Sequence, residues 1–370
     1  MLIRFIRREP VLCLSAAAAL ASLPAAAGMR SVLNSIDLRV LGLLWSLMIV
    51  VAGLRSCGLF EALAYRLLRL SRRSSLLLSL VLVLLPFFTS MAATNDVALI
   101  TFVPFTLILL EQAGQRQAAP LLLVLQTLAA NLGSMATPVG NPQNLFLYGY
   151  YQMSAAGFFR TVLPLTGLSL CLLALASCRV LPPQARLPLP PRPTPRFGWR
   201  LPLYLLLFLL SLAAVLRLLP WWAAAAAVLA ATALGDRPRM RQADYGLLLT
   251  FVCFFVFSGD LAQLSAVREL LQGWMSRSAL LTGLLSSQVI SNVPAAVLLA
   301  PFTADWRGLL LGVDIGGLGT PVASLASLIT IKFYLNWPGR RVRPFLLRFL
   351  LLNALGLVVL LAAARLLYGI

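Results

Sequence analysis

The chain of 370 residues is 60% hydrophobic and only 11% charged, with a mean hydropathy of +0.91 and a net charge of +19 at pH 7. A soluble domain carries roughly 25% charged residues, so this composition describes an all-α polytopic membrane protein. Histidine is absent, which excludes Ser-His-Asp and Cys-His nucleophile systems and His-ligated metals or haem.

Five cysteines, Cys13, Cys57, Cys171, Cys178 and Cys253, lie in or beside apolar segments without CxxC spacing, so neither a disulfide framework nor a zinc site is indicated. The basic residues fall between apolar spans and form no basic domain with stacking aromatics. The positive-inside rule accounts for the charge better than nucleic-acid binding does.

Met1 to Pro10 holds Arg4, Arg7 and Arg8 and leads into an Ala/Leu run to Ala27. Its shape fits a first transmembrane helix or a cleaved signal peptide ending near Gly28, and we read it as the helix. A span at about 38–54 precedes segment 55–73, whose five arginines on an amphipathic pattern suit a helix on the cytoplasmic surface. Apolar sequence resumes at Ser74 and continues to Leu110, interrupted by the polar stretch from Thr89 to Asp96. This pair is either two complete helices or a re-entrant hairpin over about 74–110. Inside the next apolar run, 118–151, lies Asn131-Leu-Gly-Ser-Met-Ala-Thr-Pro-Val-Gly-Asn-Pro-Gln-Asn144. Backbone groups cannot be left unpaired against lipid, so such a break survives only where it faces protein or a water-filled cavity.

A span at about 158–178 ends the first half, 1–180. Segment 181–200 is too rich in proline for a helix and reads as an extended cytoplasmic linker, not as a PxxP recognition motif. The second half, 201–370, has spans at about 201–218, 221–234 and 245–258 and a mixed-charge segment at 260–277. A second hairpin follows at about 279–302, then a broken span at about 309–333 containing Asp314-Ile-Gly-Gly-Leu-Gly-Thr-Pro-Val-Ala-Ser324, and a last span at about 344–367. Threaded from a cytoplasmic N-terminus, 21 Lys and Arg fall in inside segments and 8 in outside ones. That asymmetry supports the orientation.

The halves repeat. Thr94-Asn95 matches Ser291-Asn292 and Pro104-Phe105 matches Pro301-Phe302, each pair 197 positions apart, and each half continues into Thr-Pro-Val, at Thr137-Pro138-Val139 and Thr320-Pro321-Val322. In this threading the first hairpin opens from the inside and the second from the outside, giving two inverted-topology repeats, the signature of a secondary transporter with its site at the midplane. Asn141 before Pro142 and Thr320 before Pro321 are expected as N-caps with proline at the first helical position, and Asn95 and Asn292 as caps of the second hairpin arms. The element before each break offers carbonyls to a cation, and the helix after it offers N–H groups to an anion. Gly, Ser, Thr and Pro in membrane helices also serve packing alone; four breaks in two matching pairs argue for a site. Asp96 and Asp314 fall within breaks, where a carboxylate is costly and marks proton or cation coupling. First-turn capping is the alternative for Asp96, and exposure to a vestibule for Asp314.

At these residues the chain resembles the ion-transporter superfamily: permeases of the citrate/dicarboxylate solute-carrier type, with compact bacterial citrate-transporter-like permeases nearest and sodium/proton antiporters and arsenite permeases as relatives. The words that carry the likeness are Thr94-Asn-Asp-Val-Ala-Leu-Ile-Thr-Phe-Val-Pro104, Gly133-Ser-Met-Ala-Thr-Pro-Val-Gly-Asn-Pro-Gln-Asn144, Ser291-Asn-Val-Pro294 and Gly312-Val-Asp-Ile-Gly-Gly-Leu-Gly-Thr-Pro321. The resemblance implies a scaffold part and a transport part, elevator-like movement, and a homodimer. It also implies one cation site among Thr94, Asn95, Thr137, Gly140 and Asn141 and a second among Ser291, Asn292, Thr320 and Ser324. With Asp96, Pro138, Asp314 and Pro321 these make up the expected substrate- or ion-binding set, sodium being expected at Thr94, Asn95 and Asn141 and at Asn292 and Thr320. Dicarboxylate/sodium symporters of this kind carry Ser-Asn-Thr in both tips, where this chain has Ala93-Thr94-Asn95-Asp96 and Ser291-Asn292-Val293.

The expectation is a secondary active transporter of the bacterial inner membrane, with no enzyme activity and no cofactor beyond Na+ or H+ as coupling ion. Its partners are the bilayer and a small anion, a di- or tricarboxylate or an inorganic oxyanion, and not nucleic acid. The alternative is a cation/proton antiporter or an arsenite-type efflux permease.

Overall fold

The computed structural model describes residues 9–25, 28–71, 74–178, 180–183 and 198–369. Arg4, Arg7, Arg8, Arg72, Arg73, the residues just before Gly28 and most of the proline-rich linker lie outside them.

Among the described residues every regular element is a helix. In the first half α1 (Pro10–Ser22) and α2 (Met29–Asn34) precede α3 (Leu38–Ser56) and the amphipathic α4 (Leu59–Ser71). A hairpin of α5 (Ser75–Ala93) and α6 (Asn95–Gln112), a broken element of α7 (Ala119–Ser134) and α8 (Pro142–Tyr150), and α9 (Ala155–Ser177) complete it. The second half begins with α10 (Arg200–Val215), α11 (Trp221–Gly235), the single-turn α12 (Arg237–Met240), α13 (Tyr245–Leu261) and α14 (Ser265–Arg277). It continues with a hairpin of α15 (Ala279–Ile290) and α16 (Asn292–Leu299), a broken element of α17 (Trp306–Gly316) and α18 (Leu325–Leu335), and α19 (Val342–Tyr368). By length and apolarity α3, α5, α6, α9 and α19 each suffice to cross a bilayer, and the axes of α13 and α14 meet at 103°. The chain is a multi-pass membrane protein.

Local chemistry explains the starts. Short polar side chains at the N-caps accept from backbone N–H groups that the first turn leaves unpaired: Asp37 from Val40 at 3.0 Å, Ser154 from Gly157 at 3.1 Å, Ser278 from Leu281 at 3.1 Å and Asp305 from Gly308 at 2.9 Å. Within the spans, hydroxyls donate back to carbonyls one turn earlier, as Ser46 does to Gly42 and Thr166 to Val162, which satisfies the donor inside the helix itself. α1 lies along α13, where Ser22 Oγ donates to the buried Asp260 carboxylate at 2.8 Å.

Each broken element packs its first helix against the first arm of its own hairpin through a glycine. A Cβ on Gly133 of α7 would run into the Phe87 carbonyl and stand 2.7 Å from Ser90 Oγ; one on Gly316 of α17 would stand 2.8 Å from Ser287 Oγ. Gly133 and Gly316 are 183 positions apart, as are Thr137 and Thr320, while Ser90 and Ser287 keep the hairpin offset of 197. The repeated words of the sequence therefore make repeated contacts. The hairpins differ in size: the arms of the first are 19 and 18 residues long and those of the second 12 and 8.

Small-to-large changes in a packed core cost about 1–3 kcal/mol. Gly133→Val and Gly316→Val are each expected to destabilise by that amount, read as a lower Tm in detergent. Gly167→Ala, whose added Cβ meets nothing within 4 Å, should not lower it.

Candidate functional site

The two breaks meet, and they exchange hydrogen bonds. Asn131, in the last turn of α7, accepts at Oδ1 from Asn95 Nδ2 at 3.1 Å and from Ser324 Oγ at 3.1 Å, and its own Nδ2 donates to the Gly317 carbonyl at 3.5 Å. Asp314, 183 positions on in the last turn of α17, accepts from Asn141 Nδ2 at 3.5 Å and Gln143 Nε2 at 3.4 Å. Asn144, with its amide nitrogen turned to the carboxylate, donates to both Asp314 oxygens at 2.9 and 3.2 Å. Asn141 is the N-cap of α8, accepting from Asn144 N–H at 3.0 Å, and Ser324, also 183 positions later, occupies the N-cap position of α18. Each half thus supplies an acceptor to the residue that starts the second helix of the other half's broken element. All four residues are buried.

Four helix starts surround this exchange. A cavity of about 10 Å³ is lined by Asn95 and Asp96 of α6, Pro142 and Gln143 of α8, Asn292 and Val293 of α16, and Ser324 and Leu325 at the start of α18. That is room for about one water. Helix starts present unpaired N–H groups and a partial positive charge, a setting that favours anions. No Lys or Arg is among the residues lining it.

Asp96 also lines a larger cavity of about 600 Å³ between α3, α6 and α8, whose lining includes Arg55, Glu61, Arg239 and Asp244. Asp96 Oδ1 and Glu61 Oε2 are buried there without a hydrogen-bond partner among the described residues. Asp96 therefore stands where the small cavity and the large one meet.

Of the expected residues, the fold brings together Asn95, Asp96, Asn141, Asn292, Asp314 and Ser324. Thr94 and Ser291 are the hairpin turns, held at φ 65° and 74°. They, and not Asn95 and Asn292, occupy the N-cap positions, and neither accepts a capping hydrogen bond through its side chain. The reason is the one-residue turn, which places each asparagine in the first helical turn; Asn95 then spends its amide on Asn131 and accepts from Asp96 N–H. Ser291 Oγ and Asn292 N–H both reach the Ala323 carbonyl, at 3.3 and 3.0 Å.

Thr320 does not cap a helix either, because α18 begins at Leu325. Its N–H donates to Gln288 Oε1 at 2.9 Å and its hydroxyl to the Gln288 carbonyl at 3.0 Å. Thr137 likewise donates to the Met91 carbonyl at 2.5 Å. Met91 and Gln288 each lie three residues before their hairpin turn, so the threonines of Thr-Pro-Val fasten each break to its hairpin. Pro138 and Pro321 lie beside these fastenings, and at Gly140 any Cβ would collide with the Ser134 carbonyl.

Sequence reasoning missed Gln143, Asn144 and Gln288. Asn141, Gln143 and Asn144 together put three amides into four positions of an apolar span, and that density was a readable signal. Gln288 stands alone in its hairpin, yet it donates to the Gly316 and Leu318 carbonyls at 2.7 and 2.9 Å. It thereby occupies carbonyls that the sequence reading had left to a cation.

Residues 1–307 match the citrate transporter family model. The chain is 29% identical over 337 residues to an uncharacterized transporter of Methanocaldococcus jannaschii, a match that covers 90% of this chain and 91% of that one. It is 33% identical over 309 residues to the inner membrane protein YbiR of Escherichia coli K12, 80% of each. A shorter likeness, 38% over 148 residues, links it to a silicon efflux transporter of Oryza sativa subsp. japonica, covering 38% of this chain and 29% of that one.

Removing an acceptor from two buried donors costs about 1–3 kcal/mol. Asn131→Leu, which strands Asn95 Nδ2 and Ser324 Oγ, is expected to lower stability by that amount. Asn131→Asp keeps the acceptor but buries a charge and sets an oxygen against the Gly317 carbonyl, so it should cost at least as much, and thermal unfolding of the two variants compares them.

Proposed function

The chain belongs to the citrate transporter family, and from that premise we propose that it moves a small oxyanion or oxyacid across the bacterial inner membrane, driven by a proton or sodium gradient. It is a membrane transporter and not an enzyme. The observation that carries the cargo reading is the convergence of four helix starts on one cavity beside the Asn131–Ser324 and Asp314–Asn141 exchange.

Backbone N–H groups and amides suit a compact oxygen-bearing ligand. A tricarboxylate would bring up to three charges to a place that no guanidinium or ammonium lines, and it would need the four starts to part further than a single tetrahedral oxyanion does. The rice relative is a silicon efflux transporter by name, and dissolved silicon is a small hydroxylated oxyacid. The name of the Escherichia coli relative supports the inner membrane as the location.

Coupling falls to Asp314. It is the carboxylate that three amides enclose, and among the described residues no cationic side chain pairs with it, so a proton or a small cation can complete its charge balance as cargo comes and goes. Asp96 stands between that cage and the 600 Å³ cavity, which on the positive-inside reading opens to the cytoplasm. Alternating access then moves the hairpins and broken elements, as two inverted repeats, against the remaining helices. Two carboxylates and no base at the site favour a second reading, a cation/proton antiporter or arsenite-type efflux permease.

Flux in proteoliposomes decides. Under an imposed proton or sodium gradient, silicic acid or phosphate is expected to move and citrate is not, and arsenite flux without either would favour the arsenite-type reading. Citrate or succinate flux without oxyacid flux would overturn the cargo, and alkali-cation-dependent proton movement without either would establish antiport. In Asp314→Asn, gradient-driven accumulation is expected to fall at least tenfold, to the level of passive exchange (about 1.4 kcal/mol). A variant that keeps both accumulation and its pH dependence would remove Asp314 from coupling.

A further inference from the structure

α4 has three faces where an ordinary amphipathic helix has two. Phe60, Ala64, Leu68 and Ser71 are buried against the protein. A second apolar stripe, Leu63, Leu67 and Leu70, runs beside them at helical spacing, with Leu67 half-buried and Leu63 45% and Leu70 72% exposed. Arg66 and Arg69 form the third, exposed edge, and neither has an ion-pair or hydrogen-bond partner among the described residues. Glu61, the acid of this helix, points the other way into the large cavity. A helix of this composition suits a membrane interface, where leucines reach the acyl region and arginines the headgroups.

The leucine stripe does not face featureless lipid. Between it and α5 runs a groove of about 220 Å³, lined by Leu63 and Leu67 on one side and by Leu84 and Phe88 on the other, with Thr89 its sole polar lining residue. Its α5 wall extends from Leu80 to Thr89, about 14 Å of helix. An apolar slot of that length with two unpaired guanidiniums on the neighbouring edge matches an acyl chain joined to a negatively charged headgroup.

We propose that this groove holds one acyl chain of an anionic phospholipid whose phosphate rests on Arg66 and Arg69. α4 joins α3 to α5, and α5 ends at the Thr94 turn, five residues past the groove, or about 7 Å along the helix. A chain in the groove braces α4 against the hairpin arm that carries the site, so lipid charge sets how readily that hairpin moves. This inference stands on the groove and the free arginines and is independent of which cargo the protein carries.

The test uses the full chain, stripped of lipid in detergent and titrated with phosphatidylglycerol, phosphatidylcholine or inorganic phosphate. Thermal unfolding reads affinity and native mass spectrometry reads stoichiometry. Phosphatidylglycerol is expected to stabilise saturably as one bound lipid, phosphatidylcholine to bind at least fivefold more weakly, and inorganic phosphate to give no response. A basic residue near an anionic lipid surface contributes about fivefold in affinity, so replacing both Arg66→Gln and Arg69→Gln should weaken phosphatidylglycerol binding about 30-fold. Leu67→Trp, which fills the groove without changing charge, should remove the bound lipid while the lipid-free Tm holds. Unchanged phosphatidylglycerol affinity in both variants, equal affinity for phosphatidylcholine, or protection by inorganic phosphate alone would overturn the proposal. So would a dimer that Leu67→Trp dissociates, because a second copy would then be the occupant.

Discussion

A helix cannot end inside a bilayer unless its last carbonyls and the next helix's first N–H groups find partners within the protein. Most of what is distinctive in this chain answers that constraint. Gln288 takes the Gly316 and Leu318 carbonyls, Asn131 Nδ2 the Gly317 carbonyl and Asn141 the Asn144 N–H, while Asn131 and Asp314 accept from Ser324 and Asn141, the residues that start α18 and α8. Within its own half each break is held by its hairpin and its cap, and the hydrogen bonds between halves join the two breaks into one site. The glycines at positions 133 and 316, and the fastening of Thr137 and Thr320 to the hairpins, bring the chain close enough for that closure.

The same closure fixes the electrostatics. Four helix starts converge without a basic side chain, so backbone groups supply the positive potential. Corresponding positions of the two halves differ where the chemistry lies: Asn131 against Asp314, Asn141 against Ser324, and Gln143 and Asn144 against Ala326 and Ser327. An amide both donates and accepts and stays neutral; a carboxylate needs donors, and here it has Asn141, Gln143 and Asn144. Those differences make a framework of repeated contacts chemically one-sided.

Much of this was legible in the sequence, for reasons that are themselves physical. Polar words such as Gly-Asn-Pro-Gln-Asn inside leucine-rich runs are costly in lipid and so stand out, and their recurrence at fixed offsets located both hairpins and both breaks. Asn141 was readable as an N-cap because Pro142 follows it. Thr320 before Pro321 carries the same local signal and does not start a helix, because Gln288, more than thirty positions earlier, takes its N–H and hydroxyl. Asn95 and Asn292 missed the cap position by one residue, since the sequence does not specify that a single left-handed residue makes each turn. The pairing of Asn131 with Ser324 and of Asp314 with Asn141 spans nearly two hundred positions, and no local pattern encodes it.

The central claim is that cargo binds among the four helix starts, and locating a bound oxyanion tests it most directly. A structure of the protein soaked with arsenate, recorded at the arsenic absorption edge, should show one anomalous peak between the starts of α6, α8, α16 and α18, within hydrogen-bond distance of Asn95 or Asn292. A peak confined to the larger cavity, beside Arg55 and Arg239, would contradict the account.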